Sequence, residues 1–548
     1  MGSRSQIRLG TGLPGLLKEG YKHMSGLEEA VLRNIDACKQ LSKITATSLG
    51  PNGMNKLVVN HLDKLFVTSD TGTIVTELEV NHPAAKMVTM AAKMQESEVG
   101  DGTNFVVSFA GELLLHAEEL LRQGIHISEI ISGFEKAAEF AMRTMPELVC
   151  RSVEDVTDPA QLQQAVLPVM TAKQYGYHKA LSEVVSTACT KAMVKSGSRV
   201  SLNVDNVRVA KLVGGSVRDT TVVRGMVVQR PAASMVKRVT DAKVAVFGVG
   251  LEVSGTETKS TVVLRSAEEL LQYSKGEEKM IEDAVKGIAD AGAKVIISGG
   301  SISEMALHFV DKYNLMVIKV TSKFELRRLC RALGAVACVR LGPPMPEEMG
   351  HCHVVEEVEI GGRRVVVFRQ EDGEDGGQIA TVVLRGSTMN LLDDLERAVD
   401  DGVNTAKTAV QDARLVPGAG ATELELAHRV GEFAAGTPGL DQYAIRKFGE
   451  ALEVVPRTLA VNAGAKANEV ISSLYAAHAS GKASVGVDVE HASTMDAVEA
   501  GVFDLLATKL SAMRLAVDAA VTVLRVDQII MSKPAGGPKP PKPGPPDA

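Results

Sequence analysis

The stretch Gly100-Asp101-Gly102-Thr103-Asn104-Phe105 decides how this chain is read. It breaks one apolar-periodic segment and opens the next, and its glycines expose backbone N–H groups with little side chain in the way. A carboxylate stands in the middle and a hydroxyl follows it, which is equipment for holding a phosphate chain and its Mg2+. A lone Asp-Gly is most often a turn. Here Gly100, the Thr103 hydroxyl and the helix start favour anion binding, with Asp101 as the metal ligand beside a helix N-terminus whose dipole attracts phosphate. Two other stretches share the design. Leu49-Gly50-Pro51-Asn52-Gly53-Met54-Asn55-Lys56 lies upstream, and Pro417-Gly418-Ala419-Gly420-Ala421-Thr422-Glu423 lies far downstream. If all three serve one nucleotide, the chain folds back on itself.

At 548 residues, and roughly 150 residues per domain, about three or four domains are expected. The chain is 45% apolar and 23% charged, ordinary for a soluble globular protein. A net charge of −7 and a pI near 6.0 argue against a nucleic-acid or anionic-membrane surface. Aromatic content of 3% with no Trp argues against base-stacking platforms. Cys38, Cys150, Cys189, Cys330, Cys338 and Cys352 form no C-x-x-C pair and read as reduced, buried thiols of a cytosolic protein. His351-Cys352-His353 reads as a surface strand or turn rather than a metal site. The first fifteen residues contain no apolar core of a signal peptide. Met513 to Val526, among the most apolar stretches, is interrupted by Arg514, Asp518 and Arg525, so no membrane span is expected. From Lys533 onward the density of Pro and Gly predicts a disordered, polyproline-like tail.

Ser25-Gly26-Leu27-Glu28 has the form of a capping box, and Leu27, Val31, Ile35, Cys38, Ser42 and Thr45 form one stripe of a helix over 26–48. Lys56–Asn60 and Leu65–Ser69 predict two short strands, with Asp70 where the second ends. Pro83 opens a helix to about Ser97, and Thr103 begins another through Leu121. From Val223 to Phe368 the pattern changes. Strands at Ala242–Val249, Ala293–Ser298 and Leu315–Thr321 alternate with helices over 278–291, 301–313 and 322–333, the signature of a separate α/β domain. Residues 250–278 are charged and polar and are expected to project. After Gly386 the chain reads as helical to Ala519, with Val521–Ile530 as a closing strand. The fold class is α/β multi-domain: a helical domain made of both termini, with another inserted.

LGPNGMNK, VGDGTN and PGAGATE, in this order and at these separations, resemble the group II chaperonins. Val67–Pro83, Val169–Tyr175 and Leu384–Gly402 add to the likeness. Glu79-Val80-Asn81-His82-Pro83-Ala84-Ala85-Lys86-Met87 and Val523–Ile530 with the Pro-Lys tail resemble one subunit type of the eukaryotic, hetero-oligomeric branch. The match spans about residues 20–540. It implies a chaperonin fold with a mainly helical equatorial domain from 1–147 and 411–532. A small intermediate domain would come from 148–220 and 373–410. An inserted α/β apical domain would span 221–372, with a helical protrusion at about 250–278, and 533–548 would be the disordered Pro-rich tail. Hinges are expected near Met145–Arg151, Gly214–Gly225, Gly373–Gln378 and Gln411–Gly418. The resemblance further implies ATP/ADP and Mg2+ as cofactors and seven paralogous subunits as partners in a double ring. It implies unfolded clients of the actin and tubulin class, a cytoplasmic location, and neither nucleic acid nor membrane as partner.

The same resemblance assigns roles. Asp70, in Ser69-Asp70-Thr71-Gly72-Thr73-Ile74, and Asp401, in Glu396-Arg397-Ala398-Val399-Asp400-Asp401-Gly402, match the family's catalytic aspartates, which orient the attacking water. From the residues alone, Asp393, Asp394, Asp400 and Asp401 also suit a solvated acidic helix face, with Asp400 the alternative to Asp401. Lys173, after Thr171-Ala172, resembles the lysine that approaches the terminal phosphate. Leu49, Gly50, Pro51, Gly102, Thr103, Asn104, Phe105, Thr171 and Ala172 would line the nucleotide. Gly418, Ala419 and Gly420 would pass beside the nucleoside, and Asp504 would accept from a ribose hydroxyl. Hinge closure would then deliver Asp401, so that hydrolysis reports closure. Four positions depart from the family pattern: Asn52 stands for a common lysine, Thr71 for a glycine, Asn104 for a threonine and Ala419 for the middle glycine of three. The helix Ser322–Gly334 is expected to meet clients through the face carrying Arg327, Arg328 and Arg331, while Phe324, Leu329 and Leu333 pack inward or touch apolar client. A small-molecule kinase or dehydrogenase is the rival enzyme reading, from Val295-Ile-Ile-Ser-Gly-Gly300 before a helix. It lacks both G-x-G-x-x-G and G-x-x-x-x-G-K-[ST]. A ring scaffold with weak or no ATP turnover is the third reading.

Overall fold

The computed structural model describes residues 22–24, 27–197, 199–252, 266–371 and 379–531. The start of the Ser25–Glu28 capping box, residues 253–265 of the projecting segment, the hinge at 373–378 and the Pro-rich tail lie outside the described residues.

Both ends of the chain build one helical core. Val31, Ile35 and Cys38 recur at three- and four-residue intervals on the Leu27–Ala46 helix and are buried together. They face the Thr103–Arg122 helix, which also packs on Leu506–Leu524 from the far end of the sequence. Phe109, Phe134 and Phe448 meet at the centre; Phe109 stands edge-on to Phe448 at 5.4 Å, an arrangement worth about 0.5–1.5 kcal/mol beyond area burial. Lys22–Met24 pairs antiparallel with Ile529–Met531, so the two ends are also joined as strands.

The middle of the chain forms a nine-stranded mixed sheet. Met316–Lys319, Val295–Ser298 and Arg238–Phe247 run parallel, and Ala337–Cys338 also pairs parallel with Arg238–Phe247. Gly350–Ile360, Arg363–Arg369, Thr221–Val228 and Ala380–Gly386 follow in antiparallel succession. Val207–Val213 closes the far edge parallel to Ala380–Gly386. Val295, Ile296, Ile297, Met316, Val317 and Ile318 are fully buried, as a parallel sheet covered on both faces requires. Helices Pro159–Lys173, His178–Ala192 and Met389–Gln411 share a further core with strands Ala380–Gly386 and Phe503–Leu505. A small sheet of Phe503–Leu505, Arg414–Pro417 and Arg151–Ser152 joins this part to the helical body.

Several sequence expectations are corrected. Val521–Ile530 is not one strand: the Leu506–Leu524 helix takes its first four residues, and only Ile529–Met531 forms a strand. Val521 and Val523 are β-formers by type but are buried on a helix face, so packing overrides propensity. The region after Gly386 also contains strands at Arg414–Pro417, Val485–Asp488, Ser493–Asp496 and Phe503–Leu505. Cys150 is exposed and Cys330 and Cys338 are half-buried rather than buried, while all six cysteines are free thiols. His351 and His353 lie on a strand; His351 meets Asp241 at 2.6 Å and His353 meets Gln370. On the Lys323–Leu333 helix, Leu329 and Leu333 point inward, whereas Phe324 is 74% exposed beside exposed Arg327 and Arg331. No helix among the described residues is long and apolar enough to cross a membrane.

Candidate nucleotide site

Asp70 ends the strand Leu65–Thr68 and caps the helix Thr71–Glu77, accepting from the Gly72 and Thr73 N–H groups at 3.3 and 2.8 Å. The Thr73 hydroxyl adds a bond of 2.7 Å to the same carboxylate. Lys173, the last residue of the Pro159–Lys173 helix, reaches across to Asp70 Oδ1 at 2.7 Å and to Asp401 Oδ2 at 2.8 Å. Asp101 lies within electrostatic reach of Lys173, Asp70 and Asp504, and accepts from the Gly102 N–H. Three acidic groups from segments far apart in sequence therefore gather around one ammonium.

The approach depends on missing side chains. A Cβ on Gly100, whose φ is +86°, would fall 2.2 Å from Asn404 Cβ on the Met389–Gln411 helix. A Cβ on Gly402 would fall 2.4 Å from Met170 Cε on the Lys173-bearing helix. Both glycines let the helix that carries Asp401 lie close to its neighbours.

Electrostatics divide the carboxylates. Burial pushes Asp70 up, but Lys173 and the Thr73 bonds outweigh it and hold the group well below the usual carboxylate range. Burial raises Asp401 well above that range, with Asp70 and Asp101 adding to the shift against the pull of Lys173. Asp101 is raised, also first by burial. Lys173 is raised well above its ordinary value: burial opposes its charge, but Asp401, Asp70 and Asp101 more than reverse this.

The acidic run on the Met389–Gln411 helix separates into distinct environments. Asp393 pairs with Lys211 at 2.6 Å and Asp394 accepts from Gln174. Asp401 faces Lys173, and Asp400 is exposed on another side of the helix.

Other expected residues fall into two groups. Gly102, in the left-handed region, starts the Thr103–Arg122 helix beside Asp101. Gly418, Ala419 and Gly420 form the turn into the Ala421–Gly436 helix, and Gly418 is held by Val502 O at 3.0 Å, next to Asp504. Leu49 packs with Leu459 and Leu424, and Gly50 and Pro51 continue the turn that follows the first helix. Asn104 ties that turn to the site by donating to Thr45 O and Ser48 Oγ at 3.0 and 3.2 Å. Phe105 stacks on Phe109 at 5.3 Å. Thr171 bonds back to Leu167 O, and Ala172 is its neighbour on the helix that ends at Lys173.

Sequence reasoning missed Gln95 and Lys509. Gln95 donates to Asp101 O at 2.7 Å and accepts from Ser511 at 2.8 Å. Lys509 lies 2.9 Å from Asp504 and also bonds Glu423. Neither sits in a glycine-rich stretch; Gln95 joins the Asp101 turn to the last helix, and Lys509 is brought to Glu423 by the return of that helix.

Among the described residues no group of three or more His, Cys, Asp or Glu side chains is placed to cage an ion. Mg2+ is ordinarily held by one or two carboxylates together with phosphate oxygens and water. Asp101, beside the start of the Thr103–Arg122 helix, is the carboxylate that could hold it.

Residues 41–534 match the TCP-1/cpn60 chaperonin family, and the chain belongs to it. It is similar to T-complex protein 1 subunit theta of Arabidopsis thaliana, with 54% identity over 530 residues covering 96% of each chain. The subunit theta of Homo sapiens is 53% identical over 532 residues, 97% of this chain and 96% of that one. That of Dictyostelium discoideum is 50% identical over 537 residues, 98% and 99% of the two chains.

Proposed function

We propose that this chain is an ATP-hydrolysing subunit of a cytosolic, hetero-oligomeric double-ring chaperonin that encloses unfolded clients, with turnover driving closure. One observation carries the reading: Asp70, Asp101 and Asp401 gather around Lys173 beside a glycine turn at a helix start. The relatives are named as subunits, which supports an assembly with paralogous partners, seven by the family pattern.

In this reading Asp101 holds Mg2+, which supplies charge neutralisation on the phosphates. The free N–H groups at the start of the Thr103–Arg122 helix bind phosphate oxygens. Asp70, kept ionised, accepts a hydrogen bond from the attacking water. Asp401, with its higher proton affinity, takes the proton as general base. Lys173 exchanges its carboxylate partners for the terminal phosphate, and Asp504 accepts from a ribose hydroxyl.

Rings carrying Asp401→Ala in this subunit alone test the reading. General base catalysis is worth roughly 100-fold or more, so the turnover assignable to this subunit should fall by at least about that factor, with ADP binding retained. A scaffold subunit is the second reading. It is favoured by Ala419, a non-glycine residue at φ +54° in the third glycine-rich stretch, and by the buried Thr71 hydroxyl, which has no hydrogen-bond partner. Unaltered turnover in the Asp401→Ala rings would select it.

A further inference from the structure

Lys509, in the first turn of the Leu506–Leu524 helix, and Glu423 form with Asp504 a buried charge cluster, and the mechanism above gives neither Lys509 nor Glu423 a task. Lys509 lies between Asp504 and Glu423: its Nζ is 2.9 Å from Asp504 Oδ2 and bonds Glu423 Oε1. Its side chain is 13% exposed and that of Glu423 only 3%, while Asp504 keeps 36%. Burial disfavours the Lys509 charge, but the two carboxylates more than reverse this, so the ammonium stays protonated. Asp504 is fixed from the backbone side as well. It pairs with Val416 across the short sheet, and its Oδ2 lies 3.3 Å from where a Cβ on Gly418 would sit. One carboxylate oxygen is thus taken by Lys509. That oxygen is also the one against Gly418, so Lys509 fixes the partly exposed Asp504 carboxylate beside the Gly418–Gly420 turn.

We propose that Lys509 is a positioning residue for the nucleotide's sugar: by holding Oδ2 it fixes the Asp504 carboxylate beside the Gly418–Gly420 turn, where the carboxylate accepts from a ribose hydroxyl and selects ribonucleotides over dideoxyribonucleotides. The inference rests on the nucleotide reading and adds to it a residue that touches no ligand. Without the ammonium, Asp504 would face the buried Glu423 across the vacated space, and repulsion would rotate it out of register. An arginine retains the charge and reaches both partners.

Equilibrium dialysis with the full-length chain and Mg2+ compares ADP with 2′,3′-dideoxy-ADP. A hydrogen bond to a charged acceptor is worth about tenfold or more, so the unaltered chain should prefer ADP by about that factor. Lys509→Met should bring the ratio close to one by weakening ADP while leaving the dideoxy compound nearly unchanged, and Lys509→Arg should keep the preference. Equal loss of both nucleotides in Lys509→Met, or an unchanged ratio, overturns the proposal while leaving nucleotide binding intact in the unaltered chain. If Lys509→Met does not fold, Asp504→Asn decides: it must equalise the two ligands, and a retained preference overturns the assignment. Failure of the unaltered chain to bind either compound overturns the nucleotide reading itself, and this proposal with it.

Discussion

Asp70 carries two tasks in one side chain, and they can be separated. It caps the Thr71–Glu77 helix through the Gly72 and Thr73 N–H groups, and it pairs with Lys173 at 2.7 Å. Serine caps a helix about as well as aspartate, whereas alanine in place of either costs about 1 kcal/mol. Asp70→Ser should therefore keep the cap while removing the charge, and Asp70→Ala should remove both. Thermal unfolding is expected to place Asp70→Ala below Asp70→Ser by that amount, with ATP turnover at this subunit lost in both. Equal turnover in Asp70→Ser and the unaltered chain would show that the carboxylate serves the helix alone. The site was legible here because an Asp after an apolar strand and before Thr-Gly-Thr is a local signal. Lys509 gave none, since its partners Asp504 and Glu423 are joined only by tertiary packing.

At the scale of elements, periodicity revealed the long amphipathic helices and failed on the short strands. The Thr103–Arg122 and Pro83–Glu98 helices lie within a residue of their expected ends because Pro83, Gly100 and Gly102 mark them. Arg414–Pro417, Val485–Asp488 and Phe503–Leu505 have three or four residues each, too few to display an alternation. The Leu506–Leu524 helix was cut short for the opposite reason: its β-branched end is buried against other helices, and propensity yields to packing. The decisive contacts between elements were also hidden, because Gly100 and Asn404 are far apart in sequence. Gly100→Ala should push the Met389–Gln411 helix outward, through both the 2.2 Å clash and the positive φ. Overpacking typically costs about 1–3 kcal/mol, so a lower unfolding temperature is expected. Because the same helix carries Asp401, turnover should fall as well. Full turnover in Gly100→Ala would mean that the helix does not need this spacing.

Over the whole molecule, the return of the chain was readable from three glycine-rich stretches with similar chemistry, and the structure shows what that return joins. The Pro159–Lys173 and Met389–Gln411 helices belong to a core of their own, yet Lys173 ends between Asp401 on one of them and Asp70 on the body built from both termini. The other covalent and sheet connections between these parts are short: Arg151–Ser152 and Arg414–Pro417 contribute two and four residues. Lys173 is thus an electrostatic link across a thin seam. Removing one partner of a buried ion pair costs about 3–5 kcal/mol because the charges left behind are unpaired. In Lys173→Met the three carboxylates would repel one another, and the seam is where that strain can be relieved. Amide hydrogen exchange at pH 7 should therefore rise in 151–173 and 411–418, while the helical core around Phe109 and Phe448 stays as protected as before. The sign with pH follows from Asp70, whose carboxyl lies below its unfolded value of about 3.9. The stabilisation by Lys173 through Asp70 is present in full above that value and is lost as pH falls through the folded one; Asp401 and Asp101, both raised, contribute with the opposite sign at higher pH, so the same segments should loosen in the unaltered chain only once pH falls below about 3.9. Uniform acceleration across the molecule would instead identify Lys173 as a general stabiliser with no special place at the seam.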